Sequence, residues 1–118
     1  MNILTTHILD TANGCPAKGV EICLYKMAGP EHDADAELVK TVVTNDDGRT
    51  DSPLLSEAEF ALGYWKLVFK VGAYFKASNP SDTPFLSEVP LCFGMESEDH
   101  YHVPLLVSPW SYSTYRGS

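Results

Sequence analysis

His100-Tyr101-His102 is the segment of this chain best equipped for chemistry. In an extended strand, side chains two residues apart point the same way, about 7 Å apart. Two imidazoles on one face can grip a metal, one of them can move a proton near neutral pH, or both can be ordinary strand-end histidines. His7, in Leu4-Thr5-Thr6-His7-Ile8-Leu9-Asp10, stands on a different segment. It could complete a three-histidine zinc site with one open position. Its alternatives are a general base, or a strand histidine whose ring nitrogens are both satisfied. Arg49 directly follows the turn Asn45-Asp46-Asp47-Gly48. A guanidinium there can fork onto a planar acceptor or an anion, or simply be solvated. Arg49 and Arg116 are the only arginines, and each adjoins a glycine. Other chemistries lack their residues: there is no GxSxG, no glycine-rich phosphate loop and no HExxH. Cys15, Cys23 and Cys92 have no adjacent basic group to favour a thiolate.

The elements that must position these residues follow a period of two. Ile3–Leu9 alternates, with Leu4, Thr6 and Ile8 on one face and Thr5 and His7 on the other. Gly19–Met27, Leu38–Thr44, Tyr64–Val71, Glu88–Met95 and His100–Val107 also read as strands, and Tyr112–Tyr115 as a last short one. Ala73–Ala77 is expected to be a short helix. Ser52–Gly63 is expected to be a loop with one helical turn at Ser56-Glu57-Ala58-Glu59. Asn13-Gly14 and Asn45–Gly48 are turn signals. Seven or eight short strands with turns between them predict an all-β sandwich or barrel. The end of the chain carries Trp110, Tyr112 and Tyr115, large groups that ordinarily need burial. The tail is therefore expected to be packed, with another subunit as a possible partner.

Composition bounds the rest. The 118 residues make one domain, 1–118, with 44% hydrophobic and 20% charged residues. A net charge of −8 repels phosphate backbones, so no nucleic-acid partner is expected. No apolar run approaches the roughly 20 residues of a membrane helix, and no membrane partner is expected. Three cysteines without a CxxC pair suit a reducing compartment, and the expected location is cytoplasmic.

Three blocks carry a resemblance: Leu4-Thr5-Thr6-His7-Ile8-Leu9-Asp10, Asn45-Asp46-Asp47-Gly48-Arg49, and His100-Tyr101-His102-Val103-Pro104-Leu105-Leu106-Val107-Ser108-Pro109 with the terminal Tyr115-Arg116-Gly117-Ser118. Together they resemble the 5-hydroxyisourate hydrolases of the transthyretin-like protein family, from residue 3 to the last. The terminal Tyr-Arg-Gly-Ser separates these enzymes from the hormone carrier of the same fold. The resemblance implies a transthyretin-like (prealbumin-like) Greek-key sandwich of seven to eight strands with one short helix. It implies a homotetramer with active sites at the dimer–dimer interface. It also implies hydrolysis of 5-hydroxyisourate to 2-oxo-4-hydroxy-4-carboxy-5-ureidoimidazoline, with no cofactor and no metal. Carried over by position, His7, Arg49, His102 and Ser118 are the catalytic residues, and His7, Arg49 and Tyr115 the substrate contacts. A neighbouring chain's end is expected to help close the site. The alternatives are a non-catalytic small-ligand carrier of the same fold and the zinc hydrolase built on His7, His100 and His102.

Overall fold

The computed structural model describes residues 1–117, and Ser118 lies outside the described residues. Alternation in β1 (Ile3–Asp10) sends Leu4, Thr6, Ile8 and Asp10 into the interior and leaves Ile3, Thr5, His7 and Leu9 half-buried on the other face. β2 (Cys15–Pro16) turns back to pair antiparallel with the end of β1. β3 (Glu21–Met27), β4 (Ala36–Val43), β5 (Gly63–Phe69) and β6 (Val89–Met95) form a separate antiparallel sheet in the order β4-β3-β5-β6. β7 (His100–Val107) lies parallel to β1, with Ile3 opposite His100 and Asp10 opposite Val107. β8 (Tyr112–Thr114) pairs with β7 and completes the sheet β2-β1-β7-β8. The two sheets enclose one core in which Leu4, Ile8 and Leu105 meet Ile22, Leu67 and Phe69, all fully buried.

The expected strands are present, with shifted ends. The segment expected to run to Val71 leaves the sheet after Phe69. Val71 instead opens α1 (Val71–Phe75), two residues earlier than the expected Ala73–Ala77. Val71 and Phe75 are one helical turn apart and both buried, so a strand period and a helix period share the same apolar residues here. The turn at Ser56 is closed by Phe60 N–H donating to its carbonyl (2.9 Å) and by its own N–H donating to the Glu59 carboxylate (3.0 Å).

The expectation for the tail needs correction. Its backbone is fastened: β8 pairs with β7, and the Thr114 hydroxyl donates to the Pro104 carbonyl at 2.7 Å. Its aromatic side chains are not covered by their own chain, with Trp110 63% and Tyr115 61% exposed. β8 is an edge strand of three residues, and among the described residues no strand pairs with its outer side. Among the described residues no helix is long and apolar enough to cross a membrane.

The inner end of β1 is held by Asp10, which is fully buried. Its carboxylate accepts from Ala12 N–H (3.0 Å), Asn13 N–H (2.9 Å), the Asn13 side-chain amide (2.7 Å) and Tyr74 O–H in α1 (2.8 Å). Burial alone would raise the Asp10 pKa, but the hydrogen bonds from Asn13, Tyr74 and Ala12 outweigh it and hold the carboxyl below its ordinary value. Asp10→Ala strands four donors and is expected to cost about 3 kcal/mol, against about 1 kcal/mol for Tyr74→Phe. Urea midpoints with unchanged slope measure both. Because the folded pKa is depressed, the stabilisation is complete above the unfolded value and lost as pH falls through the folded one. The Asp10→Ala protein should therefore lose stability less steeply on acidification below about pH 4.

Candidate active site

The outward face of the β2-β1-β7-β8 sheet gathers the singled-out histidines. Period two puts Thr5 and His7 on this face of β1, and His100 and His102 on the same face of β7. The parallel register sets Thr5 opposite His102 and His7 opposite Pro104. With strands about 4.8 Å apart and a rise of about 3.3 Å per residue, His7 and His102 are diagonal neighbours. Thr5 Oγ1 lies 2.8 Å from His102 Nδ1 and 2.8 Å from His100 Nε2. The rings of His100 and His102 are 6.4 Å apart and inclined at 72°.

Arg49 is delivered by a turn that Asn45 ties together. The Asn45 side-chain oxygen accepts from Asp47 N–H (2.9 Å) and Arg49 N–H (3.2 Å), while Asn45 N–H donates to the Arg49 carbonyl (2.8 Å). The turn is pinned to β1 beside His7, because Ile8 N–H donates to the Gly48 carbonyl at 2.9 Å. Gly48 has φ +72°, and a Cβ there would sit 2.5 Å from the Ile8 carbonyl oxygen. Only glycine permits that approach.

The chain's own end reaches the same place. Gly117 N–H donates to the His102 carbonyl at 2.7 Å. A Cβ on Gly117 would lie 2.9 Å from His102 Cδ2, so the backbone rests on the imidazole. Arg116 secures this contact, its guanidinium 4.1 Å from the Tyr101 ring centroid and 3.1 Å from the Asp99 carboxylate. The tail touching His102 is this chain's own. Tyr115 does not join the histidines. It lines a hollow of about 290 Å³ with Leu91, Phe93 and Arg116, on the side where β6 faces β7. Ser118, the remaining expected catalytic residue, lies outside the described residues.

Both central imidazoles are biased toward their neutral form. Burial lowers the His102 pKa most, followed by the positive Arg49 and then by His100 and His7. Burial also leads for His7, with Arg49 second, against the Asp47 backbone and carboxylate, which favour the charged ring. His7, Arg49 and His102 thus lie within electrostatic reach of one another. The patch offers proton acceptors beside a fixed guanidinium, the equipment for activating water against a carbonyl. Its cover is incomplete on a single chain. A neighbouring hollow of about 170 Å³ is lined by Thr5, Arg49 and Asp51 among others, but His7 and His102 line neither hollow.

The zinc alternative fails on its donor set. Among the described residues no group of three or more His, Cys, Asp or Glu side chains is arranged to hold a metal ion. Ring nitrogens of His100 and His102 both point at the Thr5 hydroxyl. Thr5 is the residue that sequence reasoning passed over. Its place on the His7 face was readable from alternation, but its partnership depends on the β1–β7 register, which no local pattern encodes.

A model of the HIUase/Transthyretin family matches residues 4–117. The chain is 50% identical over 121 residues to a 5-hydroxyisourate hydrolase of Pseudomonas aeruginosa, covering 100% of this chain and 93% of that protein. The crystal structure of (S)-allantoin synthase superposes with a TM-score of 0.87 at 50% identity, covering 98% of this chain and 43% of that longer one. Transthyretin from Sparus aurata superposes with a TM-score of 0.83 at 27% identity, over 99% and 97% of the two chains. Sequence and fold agree, and the chain belongs to the HIUase/Transthyretin family.

Proposed function

We propose that this chain is an enzyme that opens the ring of 5-hydroxyisourate by hydrolysis, giving 2-oxo-4-hydroxy-4-carboxy-5-ureidoimidazoline. The observation that carries the reading is the meeting of two neutral-biased imidazoles and a turn-borne guanidinium on one sheet face. The 50% identity to a hydrolase of that name supports it. A neutral imidazole takes a proton from water as its oxygen bonds to the carbon of a ring amide. Arg49 stabilises the oxyanion and holds the planar heterocycle by forked hydrogen bonds. Collapse breaks the ring C–N bond, the nitrogen takes the proton from the imidazolium, and a carboxylate is left. His7 and His102 divide the work of orienting and deprotonating the water. No step calls for a covalent nucleophile, a metal or a cofactor.

On its own chain Tyr115 lines a separate hollow, so its role as a substrate contact, and the closing of the pocket by Tyr115 and Ser118, fall to the assembled protein. That closure is completed by assembly into a homotetramer with sites at the dimer–dimer interface. Two features support assembly: Tyr112 on the edge strand and Trp110 and Tyr115 on either side of it are exposed, and the histidines lie on an open sheet face. Large apolar groups left exposed close together in sequence suit an interaction surface. The reaction is placed in the cytoplasm, which suits the free thiols of Cys15, Cys23 and Cys92.

Freshly generated 5-hydroxyisourate should lose its ultraviolet absorbance faster with the protein than without it, after subtraction of spontaneous decay. A rate equal to the blank overturns the reading and leaves a small-ligand carrier. His7→Ala, His102→Ala and Arg49→Ala should each lower kcat/KM by about 100-fold or more.

The pH profile has a defined direction. An imidazole whose pKa is lowered stays a competent base to lower pH, so the acid limb of kcat/KM should fall below about 6.5. Arg49→Gln removes a cation that lowers both pKa values, and NMR titration should show both histidines shifting upward.

Assembly is checked by dilution, with mass and specific activity followed together. Activity should disappear as the tetramer dissociates, and a fully active monomer would refute the shared site.

A further inference from the structure

His102 owes its readiness as a base to two residues with no assigned role. Thr5 Oγ1 stands 2.8 Å from His102 Nδ1 and 2.8 Å from His100 Nε2, while the ring of His102 rests against Gly117. A neutral imidazole carries one N–H and one lone pair, and a hydroxyl carries a single proton. The arrangement therefore has two principal states of opposite polarity. In one, His100 Nε2–H donates to Thr5 and Thr5 O–H donates to His102 Nδ1. His102 then carries its proton on Nε2 and has no free lone pair. In the other, His102 Nδ1–H donates to Thr5 and Thr5 O–H donates to His100 Nε2. His102 Nε2 is then bare. Only the second polarity can receive a proton from water.

We propose that Thr5 and His100 are positioning residues that fix His102 in its Nδ1–H tautomer, so that Nε2 of His102 is the atom that takes the proton; this rests on the hydrolytic reading above. Three features favour that polarity. Protonation of Nε2 leaves the Nδ1–H···Oγ1 bond in place and makes it charge-assisted, so the gain falls where charge develops. That bond polarises the Thr5 hydroxyl and strengthens its donation to His100. Thr5 is β-branched and stiff at χ1, which holds its hydroxyl between the two rings. The groups that bear on the His102 charge are Arg49 from the turn, His7 from β1 and His100 from β7. All three disfavour the cation, so His100 serves only while it is neutral. A protonated His100 loses the lone pair at Nε2, must donate to Thr5, and drives the arrangement toward the silent polarity.

The test begins on the native protein without substrate. Long-range proton–nitrogen NMR of the histidine rings, at a pH where His102 is neutral, should show the proton of His102 on Nδ1 and a bare Nε2. A proton on Nε2 overturns the proposal even if the enzyme is active. Thr5→Val keeps the shape and removes the hydroxyl. It should lower kcat/KM by about 10- to 100-fold, the usual penalty for losing a group that orients a functional histidine. The tautomer signal should move toward Nε2–H in the same variant. Thr5→Ser should restore activity to within about threefold, because the hydroxyl is the group in question. His100→Gln, which offers a neutral acceptor, should remain closer to the parent in kcat/KM than His100→Phe. A folded Thr5→Val protein with the parent's rate and pH profile would overturn the proposal. If instead the tautomer is as stated but no 5-hydroxyisourate is turned over, the relay stands and the hydrolytic reading falls.

Discussion

Everything at the histidine face depends on the parallel pairing of β1 with β7. Strands 97 residues apart in sequence are locked so that Thr5 faces His102. A slip of one residue would turn His102 into the core and bring Tyr101 or Val103 to the surface. The core forbids that slip. Leu4, Ile8, Tyr101, Leu105 and Val107 all point inward, and none is more than 3% exposed. The hydrophobic pattern that builds the sandwich is thus the same pattern that aligns the imidazoles. The alignment of the histidines is a by-product of burial on the opposite face of one sheet.

The histidine face holds the Arg49 guanidinium on an acidic protein. With a net charge of −8, the chain as a whole would favour protonated histidines. The local arrangement reverses that. Half-burial and the nearby guanidinium lower the pKa of both His7 and His102, and only Asp47 pulls His7 the other way. Local desolvation and the Arg49 cation outweigh a diffuse negative field, because exposed charges are screened within about 8–10 Å in physiological salt. Both imidazoles are thereby biased toward the neutral form, which keeps a ring lone pair free.

Much of the architecture could be read from period two alone. Alternation located β1, β3, β4, β5, β6 and β7 and separated the inward from the outward residues of β1. It placed Thr5 and His7 on one face and His100 and His102 on one face. What it could not say was that these two faces are the same. That fact lies in the register of a long-range parallel pair, and composition and local spacing carry no trace of it. The two-residue β2 was hidden for a related reason: Cys15–Pro16 is too short to show a period and is a strand only because β1 is beside it. Val71 was misplaced because an alternating strand and an i, i+4 helix face can use the same apolar residues. The resemblance to known hydrolases named His7, Arg49 and His102, but it was silent on Thr5.

The two arginine-adjacent glycines show how a backbone can be part of a site. Gly48 lets the turn lie against the Ile8 carbonyl, and the next residue is Arg49. Gly117 lets the tail lie against the His102 ring, and the preceding residue is Arg116, clamped on Tyr101 and Asp99. A methyl at Gly48 would meet the backbone oxygen of a central strand, which has nowhere to move. A methyl at Gly117 would meet Cδ2 of an imidazole, which can move only by giving up its place beside Thr5. The first contact fixes where the guanidinium stands, and the second limits where the base can turn. Both depend on the absence of a side chain, so a search confined to chemically active residue types passes over them. Their signature in the sequence is only that each of the chain's two arginines sits next to a glycine.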